Sequence, residues 1–118
     1  MVELSETGRK FPRSARLAGR SNFLRLVRGR DSRRFVGRNL AFFIAETDTN
    51  TQFGISISRR VGGAVRRNRL KRIIREFLRN NRQLWPVKKM ILFSIKNKVE
   101  NESDLISEIG VFLRDLNE

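Results

Sequence analysis

The 118-residue chain contains no cysteine and no histidine. Without cysteine there is neither a disulfide nor a thiolate metal site, which fits a reducing cytoplasm. Without histidine, Ser-His-Asp and Cys-His catalysis is excluded, and so are the usual zinc sites. The sequence therefore offers none of these catalytic or zinc-binding arrangements, and the absence of cysteine favours a cytoplasmic location.

Long apolar segments are also absent from the sequence. No uninterrupted apolar run approaches the ~18–20 residues that span a bilayer. The first residues, MVELSETG, lack the basic-then-apolar order of a signal peptide. We therefore expect a soluble protein with no membrane partner.

Acidic residues are scarce relative to basic ones. The chain has 26 Lys and Arg against 12 Asp and Glu, a formal charge of +14. Residues 1–96 hold 24 basic and 6 acidic side chains, whereas residues 97–118 hold 2 and 6. Such an excess indicates a polyanionic partner, nucleic acid first and an anionic membrane second. The alternative is a cationic surface that is merely solvated. We expect the first four-fifths of the chain to form the binding surface and the last segment to serve packing.

The length fits one domain, because single cores commonly form at about 100–150 residues. Gly8 and Pro12 punctuate the start, so residues 1–12 are predicted to be a flexible lead-in and residues 13–118 one RNA-binding domain. A helix is predicted from about Ser21 to Gly29, with Ser21 or Asn22 as N-cap.

The remaining pattern predicts an α+β domain with one sheet. A short extended piece is expected at 34–37, strands at 39–46, 53–59 and 89–96, and helices at 64–80 and from 103 onward. Asn101 or Ser103 is the expected cap of the last helix.

The strand at 53–59 alternates large apolar residues with small ones. Phe53, Ile55 and Ile57 are predicted to face the core. Gly54, with the serines at 56 and 58, leaves two interpretations open. The small residues either form a concave surface for a ligand chain, or another element packs against them.

The helix at 64–80 combines an apolar stripe with a strongly basic remainder. Its stripe consists of Leu70, Ile73, Ile74, Phe77 and Leu78, at helical spacing. Between Arg59 and Arg82 there are ten basic residues and one acid, Glu76. Arginine prevails, which suits bidentate contact with phosphates. We interpret this segment as a nucleic-acid-binding element, because a merely solvated helix face usually mixes Glu with Lys.

The segment SRRVGGAVRRNRLKRIIRE, residues 58–76, resembles the signature of the bacterial ribonuclease P protein family. In that signature, paired basic residues, a Gly and an Ala lead into Arg-Asn-Arg, then x-Lys-Arg, then x-x-Arg-Glu. Every element is present here at the right offset. The resemblance extends from about Arg16 to the C-terminus, although outside the signature it rests on pattern more than identity.

The resemblance implies a fold and a set of partners. The fold would be a two-layer α+β sandwich of about four strands and three helices, with a left-handed strand–helix–strand crossover against the usual rule. The partners would be the catalytic RNA of ribonuclease P and precursor tRNA, with no obligate protein partner. Cleavage would be carried out by the RNA, which requires Mg²⁺, and the protein would bind no cofactor of its own.

The resemblance also assigns binding residues. Contacts with the RNA subunit would be made by Arg59, Arg60, Arg66, Arg67, Asn68, Arg69, Lys71, Arg72 and Arg75. A cleft between the first helix and the sheet would hold the single-stranded 5′ leader of precursor tRNA, using Phe23, Val27 and Phe43. Two of these assignments have an alternative, since without the resemblance Phe23 and Phe43 would be interpreted as ordinary core residues.

Val27 departs from the family pattern, which usually has a second Phe at that place. Either the cleft is less aromatic than usual, or another side chain such as Phe42 compensates.

Three rival functions fit parts of the sequence. The first is a structural RNA-binding protein of ribosomal type, which shares the charge and fold class but not the processing of precursor tRNA. The second is a stand-alone nuclease with a metal held by Glu46, Asp48 and Glu76, although no motif unites these acids. The third is a binder of anionic membranes, which would need an apolar helix face exposed to lipid.

Overall fold

The computed structural model describes residues 11–117, so the predicted lead-in, apart from its last two residues, lies outside the described part. The helices are α1 (Arg20–Arg28), α2 (Ala64–Asn80) and α3 (Glu102–Leu116). The strands are β1 (Arg33–Val36), β2 (Ala41–Glu46), β3 (Gln52–Ile57) and β4 (Lys89–Ile95). The predicted α+β domain with three helices and one four-stranded sheet is confirmed.

The sheet is mixed, with the strand order β1-β2-β4-β3. The β1–β2 and β2–β4 pairs are antiparallel, whereas β3 and β4 are parallel. A parallel pair needs a crossover connection, and α2 supplies it between β3 and β4. The left-handed sense of this crossover stays a prediction.

Helices cover both faces of the sheet, which gives three layers where the sequence predicted two. Successive residues of a strand point to opposite faces. Phe42 and Ile44 of β2 belong to the main core with α2 and α3, whereas Phe43 and Ala45 belong to a second core with Leu26 of α1. Because β2 is apolar on both faces, each face needs its own cover, and α1 provides the third layer.

The segment before α1 packs along the outer edge of β3. Phe11 is buried, with its ring 5.7 Å from Trp85 and 6.2 Å from Phe53. The backbone N–H of Leu17 donates to the carbonyl of Phe53 at 2.8 Å, and Arg16 forms a single parallel bridge to Phe53. This segment therefore shields a sheet edge that would otherwise be open to another chain.

The helix caps were predicted with mixed success. The predicted caps of α1, Ser21 or Asn22, are wrong: the helix begins at Arg20, after Gly19, and no side chain caps it. For α3 the prediction is confirmed at Asn101, whose side chain accepts hydrogen bonds from two backbone N–H groups of the first turn.

Candidate nucleic-acid interface

The apolar stripe of α2 anchors the helix to the sheet. Leu70, Ile74 and Leu78 have no exposed surface, and Ile73 and Phe77 are partly buried against the same core. The stripe is therefore buried in the core. A membrane-binding helix would need to expose such a stripe to lipid, and this one does not. In residues 11–117, no helix is long and apolar enough to cross a membrane.

One side of α2 forms an open basic groove with the segment before α1. We call it the α2 groove; its lining is Phe11, Arg16, Asn68, Lys71, Arg72, Arg75, Glu76 and Arg79. Its volume is about 380 Å³. The α2 residues recur at spacings of three and four, so they follow one side of the helix for about 15 Å. Five cations against one acid give this groove a positive potential that suits a polyanion.

Two guanidinium groups from distant parts of the chain meet in the α2 groove. Burial lowers the pKa of Arg75, and the nearby charge of Arg16 lowers it further. Within the described residues, neither Arg16 nor Arg75 forms an ion pair with a carboxylate. Adjacent like charges with no counterion favour the binding of an anion, and phosphate geometry suits arginine.

The N-terminal end of α2 presents two other arginines to α3. Arg66 Nη1 donates to Glu102 Oε2 at 2.6 Å, and Arg69 donates to both oxygens of the same carboxylate. Arg66 Nη2 also donates to the carbonyl of Val99 at 2.9 Å. The pKa of Glu102 is lowered from its usual value. The hydrogen bond from Arg69 is the largest cause, and the hydrogen bond from Arg66 is the second. Two arginines of the predicted RNA-binding set are thus engaged within the protein.

The other predicted RNA-binding residues lie around the start of α2. Arg67 Nε donates to the carbonyl of Gly62 at 3.2 Å and so closes the turn that leads into the helix. Arg59 and Arg60 are exposed on a short 3-10 turn after β3. These side chains lie outside the α2 groove, so the structure divides the predicted set among three environments.

The small residues of β3 match both interpretations, one at each end of the strand. Leu17 packs against Gly54, where an added Cβ would lie 2.9 Å from Leu17 Cδ2. Farther along, Ser56 and Ser58 line an open cavity of about 390 Å³. Ser94, Arg60, Ile95 and Lys96 complete the lining.

A row of mostly small residues crosses the sheet on the α1 side. Val36 of β1 lies opposite Ala41 of β2, Ala41 opposite Ser94 of β4, and Ser94 opposite Ser56 of β3. We call these four residues the open row. Val36 is 71% exposed at the β1 edge of the row, whereas Ser94 in its middle is 7% exposed.

The predicted cleft residues lie on α1 and on the sheet face that α1 covers, and they differ in exposure. Phe23 and Val27 share a face of α1 and are 39% and 37% exposed. Phe43 is only 8% exposed, in the core that contains Leu26. The guanidinium of Arg34 lies 5.9 Å from the centroid of the Phe43 ring. Phe23 is therefore available to a ligand, whereas Phe43 lies beneath other side chains.

Phe42 does not compensate for Val27, and that suggestion is wrong. It lies on the opposite face of the sheet, because consecutive strand residues alternate between faces. Its ring stacks on Phe112 at 3.8 Å within the main core.

Sequence reasoning missed Arg16, Arg34 and Lys96 as candidate binding residues. No motif contains them, and each reaches the interface only through the packing of elements distant in sequence. The overall excess of positive charge was the only signal that could have pointed to them.

The carboxylates of the rival nuclease do not come together. The described residues contain no group of three or more acidic, histidine or cysteine side chains that could hold a metal ion. Glu46 instead forms an ion pair with Lys89 at 3.1 Å. Glu46, Asp48 and Glu76 therefore do not form the site that this rival requires.

Comparison with known proteins identifies similar sequences and a similar fold. The family model described as Ribonuclease P matches residues 11–114. The ribonuclease P protein component of Desulforapulum autotrophicum is 47% identical over 75 residues, which cover 61% of this chain and 61% of that protein. The ribonuclease P protein component of Syntrophus aciditrophicus is 28% identical over 104 residues, which cover 86% of this chain and 86% of that protein. The solved RNase P protein from Thermotoga maritima shares the fold, with a TM-score of 0.73 at 22% identity, over 85% of this chain and 96% of that one.

Proposed function

The chain belongs to the ribonuclease P protein family, and from this premise we propose that it is the protein subunit of ribonuclease P. In this role it binds the catalytic RNA and the 5′ leader of precursor tRNA. It thereby promotes endonucleolytic removal of the leader, which generates the mature tRNA 5′ end. We place this activity in the cytoplasm, with the RNA subunit and precursor tRNA as partners.

The α2 groove is the observation that carries the proposal. The groove is lined by Arg16 from the segment before α1 and by Lys71, Arg72 and Arg75 of α2. The apolar stripe of α2 fixes that helix to the core. A rigid set of cations binds a folded polyanion with little ordering cost and relieves its own repulsion. We assign the RNA subunit to this groove.

The leader is assigned to the cleft formed by α1 and the open row. Phe23 offers an exposed ring on α1, and bases of single strands stack on such rings. At the β3 end of the open row, Ser56 and Ser94 line a cavity of about 390 Å³ and bring hydroxyls to it. Arg60 and Lys96 supply positive charge at the same end.

The bond-breaking step is assigned to the RNA subunit and the Mg²⁺ ions that it binds. The protein contributes charge neutralisation, because two polyanionic RNAs must approach each other closely. The protein also contributes contacts with the leader. Because only the precursor carries a leader, these contacts favour binding of the precursor over the product. No catalytic side chain is assigned to the protein.

Reconstitution at low magnesium tests this proposal against its rivals. The RNA subunit alone should cleave precursor tRNA poorly, and addition of the protein should restore cleavage at the 5′ end. A structural RNA-binding protein of ribosomal type would restore none. Cleavage of precursor tRNA by the purified protein without the RNA subunit would contradict the proposal and support the rival function of a stand-alone nuclease.

A further inference from the structure

Arg34 lies at the edge of the cleft, on the side of the sheet that α1 covers. It is directly opposite Phe43 in the β1–β2 ladder, and its guanidinium lies 5.9 Å from the centre of that ring. Arg33, the preceding residue, points to the other face and lies 5.6 Å from the ring of Phe35. Two adjacent arginines of one edge strand are thus directed to opposite faces of the sheet.

The charge of Arg34 is not neutralised inside the described part of the protein. Its side chain is exposed and forms no ion pair there. The single acid of residues 28–38 is Asp31, which is hydrogen-bonded to Arg25 at 2.6 and 3.0 Å. An exposed guanidinium without a counterion is available to an anionic ligand.

The orientation of Arg34 suits a planar ligand as well as an anionic one. The guanidinium lies over the Phe43 ring, 5.9 Å from its centroid, within the range of a cation–π contact. The opposite side is available for stacking, and arginine planes stack on the bases of single-stranded RNA. Phe43, at 8% exposure, cannot offer its own ring to a base.

We propose that Arg34 is a leader-binding residue that stacks on a nucleobase and donates to the adjacent phosphate, in place of the buried ring of Phe43. This inference rests on the proposed function, since it deepens the assignment of the leader to the cleft. Arg34 lies two residues from Val36 on the same face of β1, so it flanks one end of the open row. Arg60 and Lys96 flank the other end.

The path between these cations has the dimensions of a short stretch of single-stranded RNA. The open row crosses four strands, which are three spacings of ~4.8 Å, or about 14 Å. Cations at the two ends of this path can contact phosphates of a strand that crosses the sheet, as positive grooves of single-strand binders do.

The test compares Arg34→Ala with the matched control Arg33→Ala, which removes the same charge from the other face. Holoenzyme reconstituted with each variant is titrated with precursor tRNA and with mature tRNA. Arg34→Ala should weaken precursor binding about 5-fold or more, the effect of losing ~1 kcal/mol of stacking. Mature tRNA binding should be unchanged. Arg33→Ala should behave as wild type with both ligands.

A second variant, Arg34→Lys, keeps the charge and removes the planar group. It should recover less than half of the lost discrimination. Full recovery would overturn the stacking contact, because a point charge would then suffice.

The remaining outcomes separate this inference from the proposed function. A wild-type holoenzyme without any preference for precursor would overturn both the leader assignment and the role of Arg34. A wild-type preference that Arg34→Ala leaves intact would overturn only the role of Arg34. Equal losses on precursor and mature tRNA would also overturn it, by placing Arg34 against another part of the RNA.

Discussion

Arg69 donates to both carboxylate oxygens of Glu102, from Nε at 2.8 Å and from Nη2 at 3.0 Å. This bidentate pair joins the basic helix α2 to the first turn of the acidic helix α3. An arginine from the middle of the signature motif therefore has a structural partner, and its charge is partly neutralised before any RNA arrives.

Substitution of Arg72 should weaken RNA binding more than substitution of Arg69. Arg72 lines the α2 groove, whereas Arg69 is held by Glu102. We expect Arg72→Ala to lower affinity for the RNA subunit about 5- to 10-fold, the worth of one hydrogen bond at about 1 kcal/mol net. Arg69→Ala should lower this affinity by less. A variant that carries both Arg69→Ala and Arg72→Ala should stay folded. Filter binding with each purified variant measures the difference. A larger loss for Arg69→Ala would contradict the division of α2 into two sides.

Arg16 should contribute to RNA binding although it lies outside the signature motif. Its guanidinium shares the α2 groove with Arg75. Arg16→Ala should lower affinity for the RNA subunit by roughly the same 5- to 10-fold. Arg13→Ala is the matched control, because Arg13 is exposed on the same segment and does not line the groove. Equal effects of the two substitutions would show that only net charge matters.

Phe23 should distinguish precursor from mature tRNA. Phe23→Ala should weaken precursor binding by the ~1–3 kcal/mol of one stacked base and leave mature tRNA binding unchanged. Phe35→Ala is a close control, since both rings are 39% exposed but Phe35 contacts Phe112 on the other face of the sheet. Phe23 would not belong to the leader site if Phe23→Ala weakened precursor and mature tRNA binding equally, if it weakened neither, or if Phe35→Ala had the same effect.

Stability should fall in acid through Glu102. Its pKa is lowered in the folded protein by the hydrogen bonds from Arg69 and Arg66. A carboxyl with a depressed folded pKa adds stability above its unfolded pKa, and this is lost as the pH falls through the folded value. The loss should begin below about pH 5. Glu102→Gln should flatten this part of the pH profile in urea unfolding.

The control for the acid profile is Glu100→Gln. Glu100 is exposed and forms no ion pair within residues 11–117. Its substitution should leave the acid dependence as in wild type. If Glu102→Gln and Glu100→Gln gave the same profile, the ion pairs with α2 would not be the source of the effect.

Local patterns predicted the elements of the fold accurately. The bounds of α2, residues 64–80, follow from Gly62-Gly63 before it and from an unbroken apolar stripe within it. Asn101, one of the two caps predicted for α3, confirms the rule that an Asn before an amphipathic run satisfies the first N–H groups.

Features that depend on long-range packing were not predictable in the same way. The third layer arises because α1 returns over Phe43 while α3 covers Phe42. The partnership of Arg69 with Glu102 joins residues 33 positions apart, and no spacing rule connects them. The signature predicts a group of basic residues, but their division between the α2 groove and the side that contacts α3 required the folded chain.

The salt dependence of RNA-subunit binding tests the central claim most directly. If the α2 groove and its surroundings neutralise ~6 phosphates, the logarithm of affinity should fall with the logarithm of salt concentration at a slope of about −4 to −5. Joint substitution of Lys71, Arg72 and Arg75 by Ala should make that slope shallower by about 2 to 3. An affinity that barely changes with salt, or a slope that the triple substitution leaves unaltered, would contradict the account.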